Sequence, residues 1–162
     1  MFKTILVPVD GSEPSERALT FALNLAASQK ADIRFCHVAV RSKAHELGTH
    51  IPFSREIAGS QWDDAQQAGR AILDAARYRA QELGVRAQTA MRSGLPAEAI
   101  VELAETDGVD LIIMGSHAYE GPVRVLVSST AETVIRRAAV PVVVVGPNST
   151  WEADVARPAV CV

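Results

Sequence analysis

Residues 111–146, LIIMGSHAYEGPVRVLVSSTAETVIRRAAVPVVVVG, constrain the fold of this chain more than any other segment. The apolar run of residues 111–114 breaks at Gly115, and polar and turn-forming residues follow as far as Pro122. A helix is expected over residues 129–139, and a second apolar run, residues 141–145, closes at Gly146. The pattern reads as strand, long loop, helix, strand, which is one βαβ unit. Parallel strands need such crossovers, because a two-residue turn cannot return the chain to the same end of a sheet. A loop from the carboxyl end of a parallel strand to a helix start is also where open α/β sheets bind ligands, since unpaired N–H groups there face an anion.

The rest of the chain repeats the alternation. Residues 4–9 form an apolar run that stops at Asp10-Gly11-Ser12, and Ala18, Leu19, Ala22, Leu23 and Ala26 then recur at helical spacing. Residues 33–40 give a second strand. Residues 85–91 give a third, with Val85, Ala87, Thr89 and Met91 alternating as on a half-covered edge. Between these two, a helix over residues 63–83 presents Ala65, Ala68, Ile72, Ala75, Ala76, Ala80 and Leu83 to the core, with Arg70, Arg77 and Arg79 in water. Another helix starts at Gly94-Leu95-Pro96, carries Ile100, Val101, Leu103 and Ala104 inward and ends near Asp107-Gly108, and residues 109–114 are the fourth strand. Five strands alternating with four helices specify a doubly wound α/β fold, a parallel sheet with helices on both faces. Residues 41–59 read as a polar surface flap, too long for a plain connector.

With 162 residues the chain fits one domain, expected over residues 1–146 with a loosely ordered tail at 147–162. A net charge of -3 with scattered Lys and Arg provides no field for nucleic acid or an anionic membrane. No apolar run approaches the roughly 20 residues of a membrane span, and the start lacks signal-peptide features, so a cytoplasmic location is expected. Cys36 and Cys161 do not suggest a pair. His45, His50 and Glu56 lack convergent ligand spacing, so no metal is expected. His37, inside a strand, reads as a core histidine satisfied by its neighbours.

Four segments, ILVPVDGSEPSERAL, FCHVAV, SGLPAEAIVELAETDGVDLIIMGS and AETVIRRAAVPVVVV, resemble those of the universal stress protein family, and the resemblance runs from Phe2 to Gly146. It implies strand order 3-2-1-4-5, the adenine-nucleotide alpha-hydrolase-like arrangement, and a homodimer formed by pairing fifth strands (residues 140–145). An uncharged edge strand such as PVVVVG favours that pairing on physical grounds. The same order puts the chain reversal between the first and fourth strands, so a ligand would lie at their carboxyl ends. By resemblance, Asp10, preceded by Pro8 and Val9, would hold the ribose or adenine of ATP or AMP. Val38 would border the adenine, and Met114 and Gly115 would lead into the phosphate loop, of family pattern Gly-x2-Gly-x9-Gly-Ser/Thr.

This chain departs from that pattern. Gly115 and Ser129 match, but Ala118 and Ser128 stand where the second and third glycines would. Alanine at a left-handed position costs about 1–2 kcal/mol, enough to weaken binding about tenfold. Ser128 still offers an N–H and a hydroxyl, and Thr130 follows Ser129. Ser129 also reads as a helix N-cap with Glu132 closing a capping box. His117 could donate to phosphate or simply be solvated, and Glu120 opposes a triphosphate unless Arg124 offsets it. Two readings stay open: a homodimeric stress-response regulator binding ATP or AMP, or a nucleotide-free dimeric module acting on protein clients. An enzyme, such as a slow ATPase or nucleotidyl transferase, is the least expected, because neither a His-x-Gly-His, a Ser-Gly-Gly-x-Asp-Ser nor a Walker lysine loop occurs. No catalytic residue is expected.

Overall fold

The computed structural model describes residues 1–40, 53–116, 129–146 and 149, with side chains 53–61 excepted. Its elements run β1 (Thr4–Pro8), α1 (Glu13–Gln29), β2 (Asp32–Ala39), α2 (Phe53–Glu82), β3 (Ala87–Ser93), α3 (Pro96–Thr106), β4 (Leu111–Gly115), α4 (Ser129–Arg137) and β5 (Val142–Val145). All strand pairs are parallel, and the sheet order is β3-β2-β1-β4-β5. The α/β class, the helices on both faces and the strand order are those expected.

Period-two alternation assigns each side of the sheet its helices. Ile5, Val7, Ile33, Phe35, Leu111 and Ile113 point to one face, where α1 packs through Ala18, Leu19, Ala22, Leu23 and Ala26, and α2 through Leu73, Ala76 and Ala80. Leu6, Cys36, Ile112 and Met114 point to the other, against Ile100, Leu103 and Ala104 of α3 and Ala131 and Val134 of α4. The central strands therefore read as continuous apolar runs, since both of their faces are covered. Each fully buried Ile, Leu or Phe contributes about 1.5–3 kcal/mol relative to exposure.

Three expectations are corrected. The helix α2 begins at Phe53, so residues 53–59 are helical rather than part of a flap, while residues 41–52 lie outside the described residues. Its buried stripe also differs: Gly69, Leu73, Ala76 and Ala80 are buried, whereas Ala68, Ala75 and Leu83 are exposed and Ala65 and Ile72 are half-buried. Alanines on both sides of the helix erase the contrast that a period needs. In β3, Val85 is buried ahead of the strand rather than in it, and Thr89 is exposed. An edge strand covered mainly by one helix holds its inward positions only in part.

Candidate functional site

The carboxyl ends of β1 and β2, the start of α3, the end of β4 and the first turn of α4 surround a cavity of about 250 Å³. Seven of the residues singled out from sequence line it: Pro8, Val9 and Asp10 after β1, Val38 on β2, Met114 and Gly115 on β4, and Thr130 on α4. Ser129 is the exposed first residue of α4 and does not line the cavity. His117, Ala118 and Ser128 lie outside the described residues. The helix α4 opens at Ser129, and Glu132 in its first turn forms an ion pair with Arg136 (2.8 Å).

Sequence reasoning missed other lining residues. Ser12 and Ser15 frame the cavity beside Asp10, and Cys36, Pro96 and Ile100 wall it beside Val38. The serines did carry a signal, because Ser-x-x-Ser after a strand is a helix-start pattern. Nothing in the chain marks Pro96 or Ile100, which reach the cavity only through the packing of α3 on β2.

The Asp10 turn is built by local hydrogen bonds. Asp10 Oδ1 accepts from the Ser12 amide (2.9 Å), an Asx turn, and Gly11 takes φ +79°, which glycine adopts without strain. Ser12 then caps α1, its Oγ accepting from the Ser15 amide (3.4 Å) and its carbonyl from the Glu16 amide (2.9 Å). Among the described residues Asp10 Oδ2 has no hydrogen bond. One carboxylate oxygen is thus committed to the turn and the other is available to a ligand hydroxyl.

Three helix starts meet the crevice, those of α1, α3 and α4, and that of α1 is closed to an anion. The first turn of α1 is closed by Ser12, holds Pro14 and carries Glu13 and Glu16, which disfavour an anion. Its backbone also abuts β4: a Cβ on Gly115 would lie 2.4 Å from the Pro14 carbonyl carbon and 2.7 Å from the Ser15 nitrogen. An anion in the crevice is left with the starts of α3 and α4, at Pro96 and Thr130.

The walls away from Asp10 are apolar. Cys36 is 1% exposed, and burial pushes its thiol up to about 11 against the attraction of Arg92, with Asp107 adding to the rise. A thiol held neutral in this way is a poor nucleophile, so Cys36 acts as a small apolar wall. No group of three or more His, Cys, Asp or Glu able to hold a metal occurs among the described residues. Likewise, no helix among them is long and apolar enough to cross a membrane.

A family model described as the universal stress protein family matches residues 1–146. Universal stress protein MJ0531 of Methanocaldococcus jannaschii is 35% identical over 149 residues, covering 90% of this chain and 82% of that protein. The solved structure of universal stress protein UspA from Lactobacillus plantarum is similar at TM-score 0.72 and 28% identity, covering 89% of this chain and 97% of that one. A universal stress protein solved in complex with cAMP is similar at TM-score 0.64 and 26% identity, over 89% and 96% of the two chains.

Proposed function

The chain belongs to the universal stress protein family, and from that premise we propose that it is a homodimeric stress-response regulator that binds an adenine nucleotide, ATP or AMP, in the crevice between β1 and β4. The observation that carries this reading is the convergence of Asp10, Val38, Met114, Gly115 and Thr130 on one cavity. Its volume of about 250 Å³ is just below the ~300–1,000 Å³ usual for small-molecule sites, suited to a base and part of a sugar with the phosphates outside. The base lies among Val38, Cys36, Pro96 and Ile100, where the walls are apolar. The ribose meets the free oxygen of Asp10. The phosphates run from Gly115 along His117, Ala118 and Ser128 to Ser129 and Thr130. The cAMP held by a structurally similar family member supports an adenine nucleotide as the ligand.

Nucleotide occupancy, rather than turnover, is the proposed output, setting the affinity for protein clients. The dimer forms through β5, whose four valines carry no charge, and whose Val142, Val143 and Val144 are only half-buried at the edge of the sheet. The alternative, a nucleotide-free dimeric module, draws on one observation, the Ala118 and Ser128 substitutions in the loop.

The test is mass spectrometry of small molecules released from freshly purified, denatured protein, followed by calorimetric titration of the emptied protein with ATP and AMP. Co-purified or titratable adenine nucleotide is expected. Protein that arrives empty and ignores millimolar ATP overturns the nucleotide reading and leaves the module.

A further inference from the structure

The peptide unit joining Val9 to Asp10 is held at both of its polar atoms by side chains. Its carbonyl oxygen lies 2.7 Å from Nδ1 of His37 on β2; a carbonyl only accepts, so Nδ1 carries the proton and donates. Its amide, that of Asp10, donates to Ser15 Oγ on α1 at 3.2 Å. The last ladder pair between β1 and β2 is Pro8 with Cys36, and the Val9 amide still reaches the Cys36 carbonyl (2.8 Å). Beyond that point side chains continue the work of the ladder.

The imidazole is itself immobilised. A Cβ on Gly69 of α2 would stand 2.5 Å from His37 Cδ2 and 2.9 Å from Nε2, and 2.8 Å from the Met91 methyl. The helix therefore lies on the ring at a distance that only glycine permits. Glycine in a helix interior costs about 1 kcal/mol relative to alanine, and here the space it leaves is filled by the histidine that holds Val9. Ser15 is 5% exposed and fixed in the first turn of α1.

A peptide plane with one free polar atom can rock about its two flanking bonds and carry the next side chain with it. With both atoms engaged it cannot, and the Asp10 carboxylate, already tied by Oδ1 to the Ser12 amide, is left with Oδ2 in one direction. We propose that His37 and Ser15 are positioning residues of the nucleotide site, clamping the Val9–Asp10 peptide so that the Asp10 carboxylate is aimed at the ribose hydroxyls. This rests on the assignment of Asp10 to the ribose. His37 is absent from the cavity lining, so it acts on the sugar only through Asp10, while Ser15 lines the cavity and also holds the Asp10 amide.

The experiment compares dissociation constants for ATP and 2′,3′-dideoxy-ATP on the wild-type protein and on His37→Phe and Ser15→Ala. Phenylalanine keeps a ring under Gly69 but removes the donor, and alanine removes the acceptor with little change in volume. The wild type is expected to prefer ATP by about tenfold, the worth of hydrogen bonds to a charged group. In each variant the preference falls to about twofold or less through weaker ATP binding alone, with dideoxy-ATP unchanged. A loss shared equally by both nucleotides means a merely structural role and overturns the proposal, as does an unchanged preference. Should His37→Phe fail to fold, His37→Leu, which also removes the donor at a position outside the cavity lining, decides the matter. A wild type that binds both nucleotides equally removes the ribose contact and this proposal with it while leaving nucleotide binding intact, whereas one that binds neither overturns both.

Discussion

At the amino end of the sheet, the Asp110 carboxylate accepts from the amides of Lys3 (2.9 Å) and Thr4 (3.3 Å), and the Asp32 amide donates to the Lys3 carbonyl (2.8 Å). Arg86 pairs with Asp32 across β2 and β3 (2.9 Å), and the Phe2 amide reaches the Gln29 side chain (3.1 Å). At the carboxyl end a carboxylate of the same type, Asp10, keeps one oxygen free beside a cavity. The two long connections, residues 40–52 and 116–128, also leave from this end. The two aspartates stand at opposite ends of the strand that carries the centre of the sheet. One is consumed by the backbone and serves stability; the other is half consumed, with one oxygen left open beside the cavity. Residue type does not separate these roles, and hydrogen-bond accounting does.

The largest expected effect is at Gly115, where the carboxyl end has no slack. Gly115→Ala places a methyl 2.4 Å from the Pro14 backbone and forces the start of α1 off β4, costing about 3 kcal/mol in urea unfolding. A loss of nucleotide binding at unchanged stability would instead make the glycine a ligand device. Next come the paired aspartates. Asp110→Ala strands the Lys3 and Thr4 amides and is expected to lower stability by about 1–2 kcal/mol with the ATP dissociation constant unmoved. Asp10→Ala should do the reverse, weakening ATP about tenfold or more while the melting temperature falls less than in Asp110→Ala. Equal behaviour of the two variants in these two measurements would erase the distinction between the ends.

Cys36 sharpens the comparison through pH. Its thiol in the folded protein is raised to about 11, so the fold favours the neutral form. The stability from its burial is therefore whole below about pH 9, the unfolded value, and is lost as pH rises from there through 11. Urea midpoints of the wild type should drop over that interval more steeply than those of Cys36→Ala; parallel curves would refute the assignment. The smallest effect belongs to Arg86→Ala at the amino end. It breaks an ion pair whose arginine is 83% exposed, and a change of less than about 1 kcal/mol is expected in the same unfolding assay.

Much of this was readable from the chain. Residues 4–9 are apolar on both faces because β1 is central, and Asp-Gly-Ser has one common use after such a run, so the position of Asp10 followed. Buried Ala18, Leu19, Ala22, Leu23 and Ala26 in α1 and Ile100, Val101, Leu103 and Ala104 in α3 are those their periods indicated. The start of α2 was not legible, since FSREIAGSQW offers no apolar stripe and carries a glycine at position 59. Its register was hidden too, because Gly69 and Leu73, rather than Ala68 and Ile72, form the contact line. The Gly69 and His37 contact has no sequence signature, as it joins residues that are neighbours only after α2 has crossed back over β2. The part of the crevice formed by α3 was illegible for the same reason.

Gly115 carries a lesson about the information in loop motifs. Its missing side chain is demanded by the backbone of α1, so a chain of this fold that had lost every ligand would still be obliged to keep it. Ala118 and Ser128 carry no such demand that the sequence reveals. A match at the first glycine therefore reports that α1 is seated on the sheet, and it adds nothing to the odds of phosphate. Weighted this way, the loop pattern contains two informative glycine positions rather than three, and both have changed in this chain.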